Sequence, residues 1–334
     1  MAEGLPERGK ISPPKRLSAL RWRYHGLPKI GHALLSSLRP RGLSHDRPIM
    51  RRKRWRWHSG ETRAGKRGKP MNAVLFGILA AERTGPSPFH DAEGVTLKTL
   101  VDIAGVPMLQ RVLTTVSAVA PESPMLCGPA LAQRSGAPWL EAALAEGAAR
   151  WLPPEGSPAR SAQALWEAAQ GEGKALLLTT GDHPLLTPET LERFWREAVA
   201  GPQDVAVGLA PYEAVQAAFP HSKRTALRFS CGAYCGTNLF FLRGPNAGKV
   251  LTFWREVEAL RKRPDKMLRV LGLGLAARYL AGRLSLAGAL DALSDRTGAH
   301  CAAIPVADPD AAVDVDSLED LATVRARFRS RGDA

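Results

Sequence analysis

The chain has 334 residues, 45% of them apolar, with a formal net charge of +14 at pH 7. That length suits one large domain or two modest ones and permits a substantial core. The charge is concentrated in residues 1–70, which hold 19 Lys and Arg against 4 Asp and Glu; the remainder is nearly neutral, so the high isoelectric point gives no reason to read it as a nucleic-acid binder. Four cysteines in this length argue against a disulfide framework and fit a reducing, cytoplasmic setting. Cys231 and Cys235 have no nearby second Cys or His pair to complete a zinc site. The most apolar stretch, from Val270 to Leu293, is interrupted by Arg278, Arg283 and Asp291, which argues against a membrane span.

In chain order, residues 1–70 show no sustained period and are rich in Pro, Gly, Arg and Ser. Such a segment buries too little apolar surface to offset its chain entropy, and the expectation is a disordered basic extension. Met71 stands directly before a buried-strand pattern, which favours Met71 as the true start. The rival reading is a basic arm in which Trp22, Trp55 and Trp57 stack on single-stranded bases.

One domain is expected over 71–330. Ala73–Ala80 is a continuous apolar run, the mark of a strand covered on both faces. A Gly-, Pro- and Ser-rich loop follows over 82–96, then a short strand over 97–103. Pro107 opens a helix whose apolar residues Met108, Leu109, Val112, Leu113 and Val116 share one face. The same rhythm predicts a strand at 125–127, helices at 139–146 and 161–170, and the strongest strand at 174–180. The helix after it starts at Thr187-Pro188-Glu189, with Thr as N-cap and acid in the first turn. Strands are expected at 205–209, 227–229 and 238–242, and a helical insertion at about 247–296. The chain closes with strands at 300–306 and 312–316 and a helix at 318–328. Alternation of this kind predicts an α/β fold: a Rossmann-like, mostly parallel sheet with helices on both faces. Ligands in such sheets gather at the carboxyl ends of the strands.

At one such end, Leu176-Leu177-Leu178-Thr179-Thr180 runs into Gly181-Asp182-His183-Pro184. Sheet packing does not call for a carboxylate there. Mg²⁺ does, since it takes oxygen ligands and usually one or two carboxylates; a turn or capping aspartate is the alternative. Asp314 and Asp316 alternate on the last predicted strand, so both can face one site. They can equally well serve only the dipole of the following helix, for which Ser317 is an N-cap. The basic turn at Lys223 and Arg224 suits a phosphate on an acceptor, or is simply solvated. Asn238, before an apolar strand, suits a sugar or phosphate, or is a satisfied buried amide. His183 reads as structural.

Three motifs together resemble the MobA-like nucleotidyltransferases, of the nucleotide-diphospho-sugar transferase fold. Lys98-Thr99-Leu100-Val101-Asp102-Ile103-Ala104-Gly105-Val106-Pro107-Met108 matches that family's K-x-L-x4-G-x-P-M pattern, Gly181–Leu186 its G-D-x-P-L-L strand end, and Asp314–Leu321 its D-x-D-S-x-E-D-L terminus. The resemblance spans about 71–330. It implies transfer of NMP from an NTP, CTP or GTP, to a phosphorylated or sugar-like small-molecule acceptor, with release of pyrophosphate. It also implies that Lys98 contacts the phosphates, that Asp182 holds Mg²⁺, and that Asp316, with Asp314, completes the metal site. The family's paired glycines are replaced by Leu79-Ala80-Ala81-Glu82-Arg83-Thr84-Gly85. Leu79, Ala80, Ala81, Arg83 and Gly85 are then the expected nucleotide-binding residues. The lost glycines support a second expectation, a catalytically weakened nucleotide-binding protein; a glycosyltransferase using Asp314-Val315-Asp316 as an Asp-x-Asp motif is a third.

Overall fold

Val74–Leu79 forms strand β1, and all six residues are buried, as a run without polar alternation requires. The computed structural model describes residues 73–80, 87–260 and 263–332. The basic arm, Ala81, Arg83 and Gly85 lie outside them.

Asp102–Ile103 (β2) and Val106–Pro107 (β3) make a small separate hairpin. The remaining strands are Met125–Cys127 (β4), Arg150–Leu152 (β5), Ala175–Thr180 (β6), Val205–Pro211 (β7), Leu227–Phe229 (β8), Gly232–Leu242 (β9) and Cys301–Pro305 (β10). They form one sheet in the order β10-β7-β9-β6-β1-β4-β5, with β8 pairing on β9. β1 is parallel to both β4 and β6, β4 to β5, and β7 to β10. Among the described strands of this sheet β9 alone reverses direction, running antiparallel to β6, β7 and β8.

Helices cover both faces, and β6 shows why its sequence is apolar throughout. Leu177 packs with Leu109, Val112, Leu191 and Phe194 from helices Met108–Ser117 and Pro188–Ala200. Its neighbours Leu176 and Leu178 point to the other face, against Leu165 and Trp254 from helices Pro158–Gly171 and Gly244–Ala259. The 3.6-residue stripe from Met108 to Val116 is the buried face of its helix, as the spacing predicts. Thr187 caps the following helix through Thr190 N, with Pro188 in its first turn.

The sequence-based assignment fails where local context overrides the pattern. The strand expected over 97–103 opens instead as a 3₁₀ turn, Lys98–Leu100, and is extended at Asp102–Ile103. The strand expected over 312–316 is a 3₁₀ turn at Pro309–Ala312 and an irregular run. The Val315 N–H of this run donates to the Asp182 carbonyl at 3.0 Å. The helical insertion expected at about 247–296 is broken between Pro264–Leu271 and Leu273–Leu280 at Gly272, whose φ of +92° no helix accommodates. Helices Pro88–Glu93 and Tyr212–Ala218 and strand β5 were not expected. None of the described helices is long and apolar enough to cross a membrane.

Leu177 is wholly buried at the centre of this sandwich. Leu177→Ala is expected to lower the unfolding free energy by about 2–5 kcal/mol, read by urea denaturation.

Candidate active site

The chain leaves the sheet at the carboxyl end of β6 through Gly181. Its N–H donates to the Leu79 carbonyl at 2.7 Å, tying the ends of β6 and β1 together. A Cβ at this position would stand 2.9 Å from Leu109 Cδ1 and 3.3 Å from Ala80 Cβ, so only glycine passes without displacing them. Strand order reverses around β1, which lies between β4 and β6, so Asp182 stands beside the topological switch point.

There, the Lys98 ammonium donates to Asp182 Oδ2 at 2.8 Å and to Asp316 Oδ1 at 2.9 Å. The three side chains are largely withdrawn from water, at 9%, 14% and 18% exposed. The 3₁₀ turn over 98–100 delivers the lysine; the end of β6 and the run after Pro309–Ala312 deliver the carboxylates.

The second oxygen of Asp182 is fixed from behind. Thr180 Oγ1 donates to Asp182 Oδ1 at 2.6 Å, and His183 Nδ1 lies 3.1 Å from that oxygen and 2.9 Å from Thr180 Oγ1. With the Thr180 proton committed to the carboxylate, the His183 Nδ1–H is the donor to both. Asn238 Nδ2 donates to Thr180 Oγ1 at 3.4 Å from the opposite strand. Asn238 is 4% exposed and has a φ of +51°, a conformation that asparagine tolerates better than most residues. This places it in the packed support of Asp182, as the buried-amide alternative expected.

Burial by itself raises the Asp182 pKa. The Lys98 charge and the hydrogen bonds from His183 and Lys98 outweigh it, and the carboxyl is held well below its ordinary value of 3.8.

Two further expectations are corrected. Arg224 is not an acceptor-facing cation: it is 7% exposed, and its guanidinium is engaged by Asp314 Oδ1 at 2.8 Å, the Asp314 carbonyl at 3.0 Å, Asp320 Oδ1 at 2.6 Å and Ser222 Oγ at 2.8 Å. Asp314, expected beside Asp182 and Asp316 as a metal ligand, is 2% exposed and is the other half of that buried pair. Asp314 and Asp316 thus have different partners, Arg224 and Lys98. Lys223, by contrast, is exposed. Leu79 and Ala80 are buried at the end of β1, where the Ala80 N–H donates to the Cys127 carbonyl at 2.9 Å.

Among the described residues no three His, Cys, Asp or Glu side chains form a metal-binding group. The four cysteines form no disulfide, and burial pushes the Cys127 and Cys301 thiols up to about 11.

Residues 91–244 match the MobA-like NTP transferase domain, a span that holds Lys98 and Asp182 and stops short of Asp316. A hypothetical transferase from Thermus thermophilus is similar in structure, with 32% identity and a TM-score of 0.61, over 74% of this chain and 99% of its own. The chain belongs to the MobA-like NTP transferase family. It is thus a nucleotidyltransferase by family, on the mostly parallel sheet expected from its sequence. Weaker similarities are to a CMP:2-keto-3-deoxy-manno-octonic acid synthetase complexed with CTP, at 16% identity and TM-score 0.49 over 78% of this chain and 99% of that one. A putative glucose-1-phosphate thymidylyltransferase from Bacillus anthracis shows 13% identity and TM-score 0.48, over 77% and 96%. Comparison with curated proteins gave no match.

In this MobA-like transferase, the depressed Asp182 pKa fixes the sign of a pH effect. A carboxylate whose folded pKa lies below its unfolded value adds stability above that unfolded value and loses it as the pH falls through the folded one. Asp182→Asn is therefore expected to melt lower than wild type by a constant margin above about pH 5. The margin should narrow as the pH drops below the ordinary value of 3.8. Melting temperature against pH for the two proteins checks this.

Proposed function

We propose that the chain transfers NMP from an NTP to a phosphorylated or sugar-like small-molecule acceptor, with Mg²⁺ as cofactor and pyrophosphate as the second product. The observation that carries the reading is the Lys98 ammonium bracketed by Asp182 and Asp316 at the carboxyl edge of the sheet. Two carboxylates converging on one positive charge are a donor set that suits a hard divalent cation, whose ligands are oxygens. Asp182 and Asp316 are the residues that would hold it. When bound, the ion supplies charge neutralisation for the polyphosphate.

The chain's own residues do the rest. Lys98 is the cation that can turn from the carboxylates to phosphate oxygens, as a flexible stem with three donors allows. Thr180 and His183, with Asn238 behind Thr180, keep Asp182 pointed at the site while that exchange occurs. The acceptor oxygen attacks the α-phosphorus, the bond from that phosphorus to the bridging oxygen breaks, and pyrophosphate leaves with the electron pair. Transfers of this kind depend on positioning and electrostatic stabilisation and need no protein nucleophile.

Leu79 and Ala80, at the end of β1, together with Ala81, Arg83 and Gly85, are the proposed nucleotide-binding residues, and CTP and GTP the proposed nucleotides. Exposed Lys223 is the proposed acceptor contact. The helices between Gly244 and Thr297 reach the β8–β9 hairpin, where the Arg228 N–H donates to Tyr279 Oη at 3.4 Å. This supports reading 71–330 as one domain whose helical insertion, about 247–296, flanks the acceptor side. A cytoplasmic setting fits this reading.

Pyrophosphate release from each of the four NTPs, with and without Mg²⁺, in the presence of sugar phosphates, tests it. Release with one nucleotide only, abolished by EDTA, is the expected result. Asp182→Ala and Lys98→Met are each expected to lower the rate by about 10²–10³. Turnover unchanged in both variants would overturn the assignment.

A further inference from the structure

Arg224 lies buried behind the site, on the turn that leads into β8, and its contacts form a chain that ends at Asp316. Nη1 holds both the carbonyl and the carboxylate of Asp314, at 3.0 and 2.8 Å. Nη2 donates to Asp320 Oδ1 at 2.6 Å. The other oxygen of Asp320, Oδ2, accepts from the Asp316 N–H at 3.2 Å and from Ser317 Oγ at 2.8 Å. The residues before and after Asp316 are thus gripped by one guanidinium, directly at Asp314 and through Asp320 on the other side. Between them the Val315 N–H is bonded to the carbonyl of Asp182.

This grip takes the place of a β-ladder. The run 313–317 carries no strand pairing, so no ladder sets the direction of the Asp316 side chain. A planar guanidinium with five donors in a rigid fork can fix two carboxylates at set distances, and a lysine in its place can not. We infer that Arg224 is a positioning residue of the transferase: by clamping Asp314 and Asp320 it holds Asp316 in register with Asp182, so that the two carboxylates converge on one cation. The inference rests on the nucleotidyl-transfer reading of this site. It also links the acceptor-side turn to the opposite wall, because Lys223, the proposed acceptor contact, adjoins Arg224 in sequence.

The test uses the full chain, with Arg224→Lys and Asp320→Asn. Asp320→Asn leaves the buried Arg224–Asp314 pair in place and so guards against simple misfolding; melting curves establish that both variants are folded. Two quantities are read. The first is retention of Mn²⁺ in the presence of each NTP, measured from free Mn²⁺ by electron paramagnetic resonance, which requires no turnover. The second is the Mg²⁺ concentration for half-maximal pyrophosphate release, set against the KM for the nucleotide at saturating Mg²⁺.

Both variants are expected to weaken Mn²⁺ retention and to raise the Mg²⁺ requirement about tenfold, the change that one lost charge-assisted contact of about 1.4 kcal/mol brings. KM for the nucleotide at saturating Mg²⁺ should stay within about twofold of wild type, since Lys98 and the end of β1 are untouched. Asp316→Asn should show the same metal defect, and adding Arg224→Lys to it should bring little more, as expected for residues acting through one group. Folded variants that retain Mn²⁺ like wild type, or that lose nucleotide and metal affinity alike, overturn the clamp and leave the transferase reading standing. A wild-type chain that retains no Mn²⁺ with any NTP overturns that reading and the clamp with it.

Discussion

One ammonium group shared by two carboxylates organises the functional edge of this protein. Lys98 is 84 residues from Asp182 and 218 from Asp316, yet one nitrogen touches both. Taking three charged groups out of water is unfavourable unless each is compensated, and here each is. Asp182 gains Thr180 and His183 as well as Lys98, and Asp316 has its backbone N–H held by Asp320. The sheet exists, in functional terms, to bring these distant pieces to one rim and keep them there.

Two layers of support stand behind that rim, and they differ in chemistry. The Asp182 side is held by hydrogen bonds from Thr180 and His183, and Thr180 is held in turn from β9, where Asn238 adopts a positive φ with its amide on Thr180. The Asp316 side is held by a buried ion cluster centred on Arg224. The difference follows from backbone context. Asp182 follows directly on a paired strand, so little more is needed than to fix one carboxylate rotamer. Asp316 sits on unpaired backbone, where stronger, charge-assisted contacts replace the missing ladder.

Some of this was readable in advance, and the reasons are specific. The strand at 175–180 announced itself because a run buried on both faces has no polar alternation, and an aspartate at its end stood out against that background. Lys98 did not stand out by pattern; residues 97–101 resemble a short strand, and only the wider K-x-L-x4-G-x-P motif singled the lysine out. Arg224 was misread for an equally physical cause. A basic turn looks solvated in sequence, since the acids that bury it, Asp314 and Asp320, are about ninety residues away. The same distance hid the role of Asp314. Its spacing from Asp316 suggested a shared face, and the absence of a strand there removed the premise.

The sequence alone determined the alternating strand–helix order, the cores on both faces of the sheet and the carboxylate that closes β6, because hydrophobic period and turn chemistry are local properties. It determined membership of the family through short motifs whose spacing survives in the chain. Tertiary structure alone decided which acids face the cation and which are spent on a buried arginine. That choice depends on desolvation and on partners brought together by long-range pairing, and neither leaves a trace in the residues next door.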